Sequence, residues 1–268
     1  MAAPASGQRL TSWFGRLMFQ NRRRALIPFA MFLAIALLWQ LTVATFQIPP
    51  LLLPGPITVL QSVITEREIL LHATAYTLME ILLATSIAVI AGFATAVLMA
   101  VLPAVRRMVF PYILMTQVVP KVALAPILVA WFGIGLQSRL VLAFLIAYFP
   151  MVINTLAGVL GTPDASLQYA RSLAASELQV LLKVRLPTAL PTIMAGIKIT
   201  AGVAVIGIIV GEFVATDEGL GKIIVESVGA LDTSLTVAAT LAVGCLGLLV
   251  LGLLEALDKR VVYWHSGQ

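Results

Sequence analysis

Residues 81–101 read ILLATSIAVIAGFATAVLMAV, an apolar run without a charged side chain, and this run decides the class of the fold. About 20 apolar residues in a helix cross a hydrocarbon core about 30 Å thick. The whole chain has the same character, because 60% of its 268 residues are hydrophobic and only 11% are charged. The sequence therefore predicts a membrane protein without a large soluble core.

Apolar runs of similar length lie on both sides of this one. Together they predict an all-α, polytopic membrane protein whose six transmembrane helices cover about residues 27–46, 81–101, 109–132, 140–160, 193–214 and 235–254. The third run contains Pro120, Lys121 and Pro126, so we expect this helix to be broken. The fourth contains Asn154, whose amide we expect a neighbouring helix to satisfy.

Two segments outside these runs have patterns of their own. In residues 1–25, apolar side chains at helical spacing are flanked by arginines, which predicts a cytoplasmic amphipathic helix on the membrane surface ahead of a six-span domain, residues 26–268. Between the first two spans, four prolines from Pro49 to Pro56 exclude a continuous helix. We expect an external loop there, followed by a short helix.

The distribution of Lys and Arg predicts which side faces the cytoplasm. Six spans place both termini on one side, and with the termini inside, twelve of the 17 Lys and Arg residues lie in cytoplasmic segments. Four lie outside and Lys198 lies within the fifth span. Because cytoplasmic loops are enriched in Lys and Arg, the chain is predicted to be N-in and C-in. The same enrichment accounts for the net charge of +5 without a nucleic-acid partner.

The sequence predicts no catalytic, cofactor-binding or metal-binding residue. It contains no GxxxxGK[ST] phosphate loop, no HExxH, no CxxC and no GxSxG. The single cysteine, Cys245, lies in the last apolar run, and His72 and His265 lie outside the spans on opposite faces. An enzyme is therefore not expected.

An ion-coupled secondary carrier is the alternative class, since it would also be polytopic and would also use broken helices. However, the first three spans do not resemble the last three, and six spans are few for such a carrier. A membrane-embedded enzyme would need ionisable groups together at one depth, but Glu80, Lys121, Lys198 and Glu212 are scattered among different spans and their ends.

Polar and ionisable groups in a bilayer are expensive and are usually functional. On this ground Lys121, Asn154 and Glu212 are predicted to lie on a translocation path or its gate. Gly207 and Gly211 form a GxxxG pair in the fifth span, which favours close packing of helices.

The loop 161–190, GTPDASLQYARSLAASELQVLLKVRLPTAL, is patterned beyond what a bilayer requires. Thr162 and Pro163 suit the N-cap and first position of a helix, and Ser176 with Gln179 has the spacing of a capping box. We expect two short helices that end before Pro187. Such a loop is suited to contact a partner.

This loop resembles the last large cytoplasmic loop of permease subunits of ATP-binding-cassette importers. Their pattern E-A-A-x3-G-x9-I-x-L-P is matched here by Q-Y-A-x3-A-x9-V-R-L-P, with departures at the Glu, the first Ala and the Gly. The matching positions are Gln168, Tyr169, Ala170, Ala174, Val184, Leu186 and Pro187. Further segments, among them LLLPGPITVL, YFPMVINTLAGV and VGEFVATDEGLG, resemble the nitrate/sulfonate/taurine/bicarbonate branch over about residues 30–265.

The resemblance implies a permease in the bacterial inner membrane that works by alternating access. It also implies a second copy of the chain, two cytoplasmic ATPase subunits that hold ATP and Mg, and an external solute-binding protein, with no cofactor bound by this chain. A segment of about residues 165–182 would couple the chain to the ATPase. Ala170 and Ala174 would lie on one face of its helix. The implied substrate is a small anion of the nitrate, sulfonate, taurine or bicarbonate type; a thiamin-precursor pyrimidine or another small nutrient is the alternative.

Overall fold

The computed structural model describes residues 27, 30–215 and 217–263, and within them every regular element is a helix. The predicted amphipathic segment, residues 1–25, lies outside the described residues, as do Trp264 and His265. The helices are α1 Ala30–Thr45, α2 Pro56–Thr65, α3 Arg67–Val101, α4 Pro103–Met115, a 3-10 turn Lys121–Leu124, α5 Ala125–Phe132, α6 Leu136–Leu160, α7 Asp164–Ser172, α8 Glu177–Val180, α9 Leu186–Val214, α10 Leu220–Gly229 and α11 Thr233–Val261.

Four of the described helices are long and apolar enough to cross a membrane: α3, α6, α11 and the continuous helix Glu177–Val214 that joins α8 to α9. Shorter apolar helices are α1, α2 and the segment Lys121–Phe132. The fold is therefore all-helical and polytopic, as predicted, while the count of six spans and their orientation stay predictions. The expected break in the third run lies between the end of α4 at Met115 and the turn that begins at Lys121.

The centre of the bundle is the contact of α6 with α9, and α3 packs against both. Small residues allow this close approach: a Cβ added at Gly207 would lie 2.7 Å from the Cα of Ala143, and one added at Gly196 would lie 2.7 Å from the Cβ of Asn154. In a bilayer, helices associate through such packing because lipid tails are as apolar as the side chains. The predicted GxxxG pair therefore packs within one chain.

The two ends of the bundle are built differently. At one end, which we call the α10 end, the start of α3 and the end of α9 meet α10, and Thr233 at the start of α11 donates to the carbonyl of Leu51. At the other, which we call the loop end, residues 161–185 connect α6 to α9.

Candidate coupling surface

The first helix of the connecting loop begins one residue later than the sequence predicts. Pro163, not Thr162, is the N-cap of α7, and no side chain caps it. The buried Thr162 hydroxyl instead donates to the carbonyl of Val159 (3.1 Å). The prediction of Thr162 as N-cap was wrong because the last carbonyls of a helix also lack partners, and here those of α6 take this donor.

The end of α7 has a Schellman motif with an alanine in the left-handed conformation. Ala174 has φ +55°, the N–H of Ala174 donates to the carbonyl of Arg171 (2.9 Å), and that of Ala175 donates to the carbonyl of Ala170 (3.2 Å). Glycine is usual at this position because it has no Cβ. The prediction that Ala170 and Ala174 share one helix face was wrong, since Ala174 lies beyond the helix in the turn.

The predicted capping box is confirmed at the start of α8. The N–H of Gln179 donates to Ser176 Oγ (3.3 Å), and Gln179 Oε1 accepts from the N–H of Ser176 (2.9 Å). An exposed ion pair between Arg171 and Glu177 (3.3 Å) joins α7 to α8 across the turn.

The expected break before Pro187 does not occur. The segment Leu181–Arg185 is a π-helical turn that joins α8 to α9 without interruption. Proline cannot donate a backbone hydrogen bond, and its ring would clash with the carbonyl four residues earlier, that of Lys183. A π turn widens the helix at that point, which accommodates Pro187 without ending the helix.

Large apolar side chains of this loop are exposed. Tyr169 is 69% exposed, Leu173 65%, Leu178 64% and Leu182 54%; we call these four residues the coupling surface. The continuous helix Glu177–Val214 has 38 residues, so it is about 57 Å long and exceeds a hydrocarbon core of about 30 Å. One or both of its ends must therefore project from the bilayer.

The other predicted coupling residues lie around this surface. Tyr169, Ala170 and Val184 line one groove of about 610 Å³ between α7 and the π turn, so the structure brings these three together. Gln168 and Ala174 are exposed, Leu186 packs against the buried cluster at the loop end, and Pro187 lies exposed in the first turn of α9.

The three predicted path residues do not form one site. The Asn154 amide donates to the carbonyl of Pro150 on its own helix (2.8 Å), not to a neighbouring helix as expected. Asn154 packs against Gly196, which precedes Glu212 on α9 by 16 residues, or about 24 Å. Lys121 lies in the break of the third run, where its ammonium donates to Gln117 Oε1 (2.5 Å).

Sequence reasoning missed a buried ion pair at the α10 end. Arg139, at the start of α6, donates from Nε to both carboxylate oxygens of Glu80 (3.0 Å each) and from Nη2 to one of them (2.5 Å). It also donates to the carbonyl of Ala215 (2.7 Å) and to the Tyr76 hydroxyl (3.0 Å). Glu80 is fully buried and Arg139 is 2% exposed. The expectation that intramembrane charges are scattered is therefore wrong for Glu80, which pairs with Arg139. The signal in the sequence was a Glu and an Arg that directly precede the second and the fourth predicted spans, at the same predicted side of the membrane.

Glu212 lies beside this pair and is 2% exposed. One of its carboxylate oxygens accepts from the Thr77 hydroxyl (2.7 Å) and the other accepts from the N–H of Gly221 (2.6 Å). The Thr77 oxygen in turn accepts from the N–H of Leu220 (2.9 Å). Every bond of this carboxylate is thus made to α3 or to the first turn of α10.

Lys198, the remaining charge predicted within a span, also has partners. Its ammonium bonds Glu255 (2.6 Å) and Asp258 (2.5 Å), both on α11. These two contacts tie α9 to α11.

Comparisons with known proteins agree with the resemblance drawn from the loop. The model of a family described as "Binding-protein-dependent transport system inner membrane component" matches residues 84–263. The taurine transport system permease protein TauC of Escherichia coli (strain K12) is 35% identical over 87% of this chain and 88% of its own length. The formylaminopyrimidine transport permease protein ThiX of Halalkalibacterium halodurans is 29% identical over 91% of this chain and 98% of its own.

A solved structure has the same fold. It is a chain from inward-facing conformations of the MetNI methionine ABC transporter, with a TM-score of 0.64 and 21% identity over 74% of this chain and 98% of that one.

Proposed function

Because the chain belongs to the family of inner-membrane components of binding-protein-dependent transport systems, we propose that it forms a solute path that opens alternately to the two sides of the membrane. The chain is a multi-pass permease subunit of an ATP-binding-cassette importer in the inner membrane, and ATP hydrolysis belongs to a separate subunit of such a transporter. Membership of this family argues against the ion-coupled carrier considered above.

The observation that carries the proposal is the exposure of Tyr169, Leu173, Leu178 and Leu182 on a loop beyond the end of a membrane-spanning bundle. Large apolar side chains exposed outside the bilayer mark surfaces for a protein partner. The neighbouring groove of about 610 Å³ between α7 and the π turn adds a concave part to the same surface. This surface is where the ATPase docks.

The movement of the ATPase reaches the membrane through α9. The coupling surface includes Leu178 and Leu182, which lie on the same continuous helix as the membrane-spanning part of α9. With no break at Pro187, displacement of the loop displaces the span itself. A continuous helix is stiffer than the hinged loop that the sequence predicted, so loop and span move together.

The assembly contains two copies of this chain and two ATPase subunits, and an external solute-binding protein delivers the substrate. ATP and Mg are held by the ATPase subunits, and this chain binds no cofactor. Family membership supports the ATPase and binding-protein partners. In this assembly the loop end faces the cytoplasm and the α10 end faces outward, as the distribution of Lys and Arg favours.

The substrate is a small anion of the sulfonate type. The similarity to a permease named for taurine transport, at 35% identity over most of both chains, supports this class. The similarity to a permease named for formylaminopyrimidine transport, at 29% identity, supports a pyrimidine as the second candidate. Titration of the purified binding protein with taurine and with formylaminopyrimidine separates the two, and tight binding of the pyrimidine alone would reject the anion.

Lys121, Asn154 and Glu212 remain candidates for the path or its gate. Lys121 lies at the break between α4 and α5, where a chain without regular helical hydrogen bonds must line a cavity or be buried in protein. Uptake by Lys121→Met should therefore fall while assembly is normal, and uptake by the control Lys259→Met, at the exposed ion pair with Glu255, should be unchanged. Equal uptake by both variants would remove Lys121 from the path.

The coupling surface is tested by Leu173→Glu, which places a charge in the proposed contact without disturbing a buried residue. The matched control is Leu52→Glu, since Leu52 is 73% exposed at the α10 end. We expect Leu173→Glu to insert normally but to lose the ATPase during purification, and Leu52→Glu to retain it. Full ATPase recovery with Leu173→Glu would contradict the proposal.

A further inference from the structure

Helix α10 is attached at its first turn by side chains of other helices. The first N–H groups of a helix have no partner within it, and here the N–H of Leu220 donates to Thr77 Oγ while that of Gly221 donates to the Glu212 carboxylate. A carboxylate is also favoured at a helix N-terminus by the helix dipole. Glu212 of α9 and Thr77 of α3 therefore replace the capping side chain that α10 lacks.

Two glycines make room for this attachment. A Cβ at Gly219 or at Gly221 would overlap the Glu212 side chain, and Gly219 has φ +103°, which other residues rarely adopt. Gly219 and Gly221 thus both leave room for one carboxylate. The turn before α10 needs a glycine only at position 219, because of its positive φ. The glycine at position 221 is needed because the Glu212 carboxylate occupies the space of a Cβ.

The other end of α10 is attached to α11. The N–H of Asp232, the N-cap of α11, donates to the carbonyl of Ser227 (2.8 Å), and the buried Ser227 hydroxyl bonds the Thr236 hydroxyl (2.8 Å). Helix α10 is therefore held by polar contacts at both ends, to α3 and α9 at its start and to α11 at its end.

We infer that α10 is a strut, residues Leu220–Gly229, which moves as one body with α9 and passes the displacement of that helix to α11 at the end opposite the coupling surface. The helix that carries Leu178 and Leu182 also carries Glu212, so displacement of the loop reaches the first turn of α10 through about 50 Å of continuous helix. The transport consequence rests on the proposed function; the attachment of α10 does not.

The attachment is tested with three variants in a Cys245→Ala background. Gly221→Ala forces the Glu212 side chain away, and Thr77→Val removes one hydroxyl while keeping the shape of the side chain. The matched control is Gly229→Ala at the far end of the same helix, where a Cβ meets nothing within 4 Å. Nitroxide labels at Val228 on α10 and Leu71 on α3, both exposed, report the distance between the two helices in the detergent-solubilised chain.

We expect Gly221→Ala and Thr77→Val to shift and broaden this distance distribution, and Gly229→Ala to keep that of the parent. In the complete transporter the two variants should retain the ATPase and lose uptake. Parent-like distances in Thr77→Val would overturn the attachment even if Gly221→Ala fails to insert. Altered distances with normal uptake would overturn the transmission, and loss of the ATPase by Thr77→Val would contradict a local role.

Failure of the proposed function gives a different result. In that case the parent chain itself would capture no ATPase, while the distances between Val228 and Leu71 would still decide how α10 is held.

Discussion

The buried ion pair between Arg139 and Glu80 allows a quantitative prediction. Arg139→Met leaves the Glu80 carboxylate, which is fully buried, without its cation, and leaves the carbonyl of Ala215 without its donor. Breaking a buried pair by removing one partner costs about 3–5 kcal/mol, because the remaining charge is uncompensated. Glu80→Met should cost a similar amount. The double variant should lose only about 1–2 kcal/mol, since the apolar pair leaves only the Ala215 carbonyl and the partly exposed Tyr76 hydroxyl without the Arg139 donor.

Thermal unfolding of the detergent-solubilised chain measures these differences. At about 2–4 °C per kcal/mol for a chain of this size, each single variant should lower Tm by about 6–20 °C, and the double variant should recover most of the loss. Lys259→Met is the control, because Lys259 is 71% exposed and its partner Glu255 is 3.6 Å away. An exposed pair of this kind contributes at most about 1 kcal/mol.

The result that would refute this reasoning is additivity. If the double variant lost as much stability as the two single variants together, Arg139 and Glu80 would not interact in the folded chain. Losses below about 1 kcal/mol in both single variants would likewise show that the pair is solvated rather than buried.

Three further predictions concern other parts of the molecule. Ala174→Gly should remove the strain of the φ of +55°, which costs about 1 kcal/mol. In hydrogen exchange, amides at the end of α7 should then exchange with solvent about fivefold more slowly. Faster exchange would contradict the Schellman motif. Gly207→Ala should destabilise the chain by about 1–3 kcal/mol, because the new Cβ meets the backbone of α6. Gly202→Ala, which has open space around it, should not destabilise the chain. Equal melting temperatures of the two variants would refute the packing. In intact cells a membrane-impermeant thiol reagent should label a cysteine at Ser62 and not one at Ser172, and the reverse pattern would invert the topology.

Local patterns in the sequence predicted local structure well. The capping box at Ser176 and Gln179 depends on residues three positions apart, and both of its hydrogen bonds are present. The break in the third run follows from prolines and a lysine within 20 residues, and it occurs between Met115 and Lys121. In both cases the residues that determine the conformation are neighbours in the chain.

Contacts between distant residues could not be predicted in the same way. Glu80 and Arg139 are 59 positions apart, and Thr77 and Glu212 are 135 apart. Their pairing follows from the packing of α3 against α6 and α9, which no periodicity in a single segment specifies. Arg139, taken alone, has the sequence context of a charge in an external loop.

Besides the N-cap at Thr162, two local predictions failed because the backbone has more solutions than the patterns suggest. Ala174 adopts the left-handed conformation that usually requires glycine, since two hydrogen bonds of the turn offset the cost of its Cβ. Pro187 continues a helix where proline usually ends one, because a π turn precedes it. Neither outcome has a signature in the residue types alone.

Photo-crosslinking from the coupling surface tests the central claim most directly, that this surface receives an ATPase. A photoreactive phenylalanine analogue at Leu173 in the native membrane should crosslink to the ATPase subunit, identified by mass spectrometry, and the same analogue at Leu52 should not. The absence of an ATPase adduct from position 173, or its appearance from position 52 instead, would contradict the account.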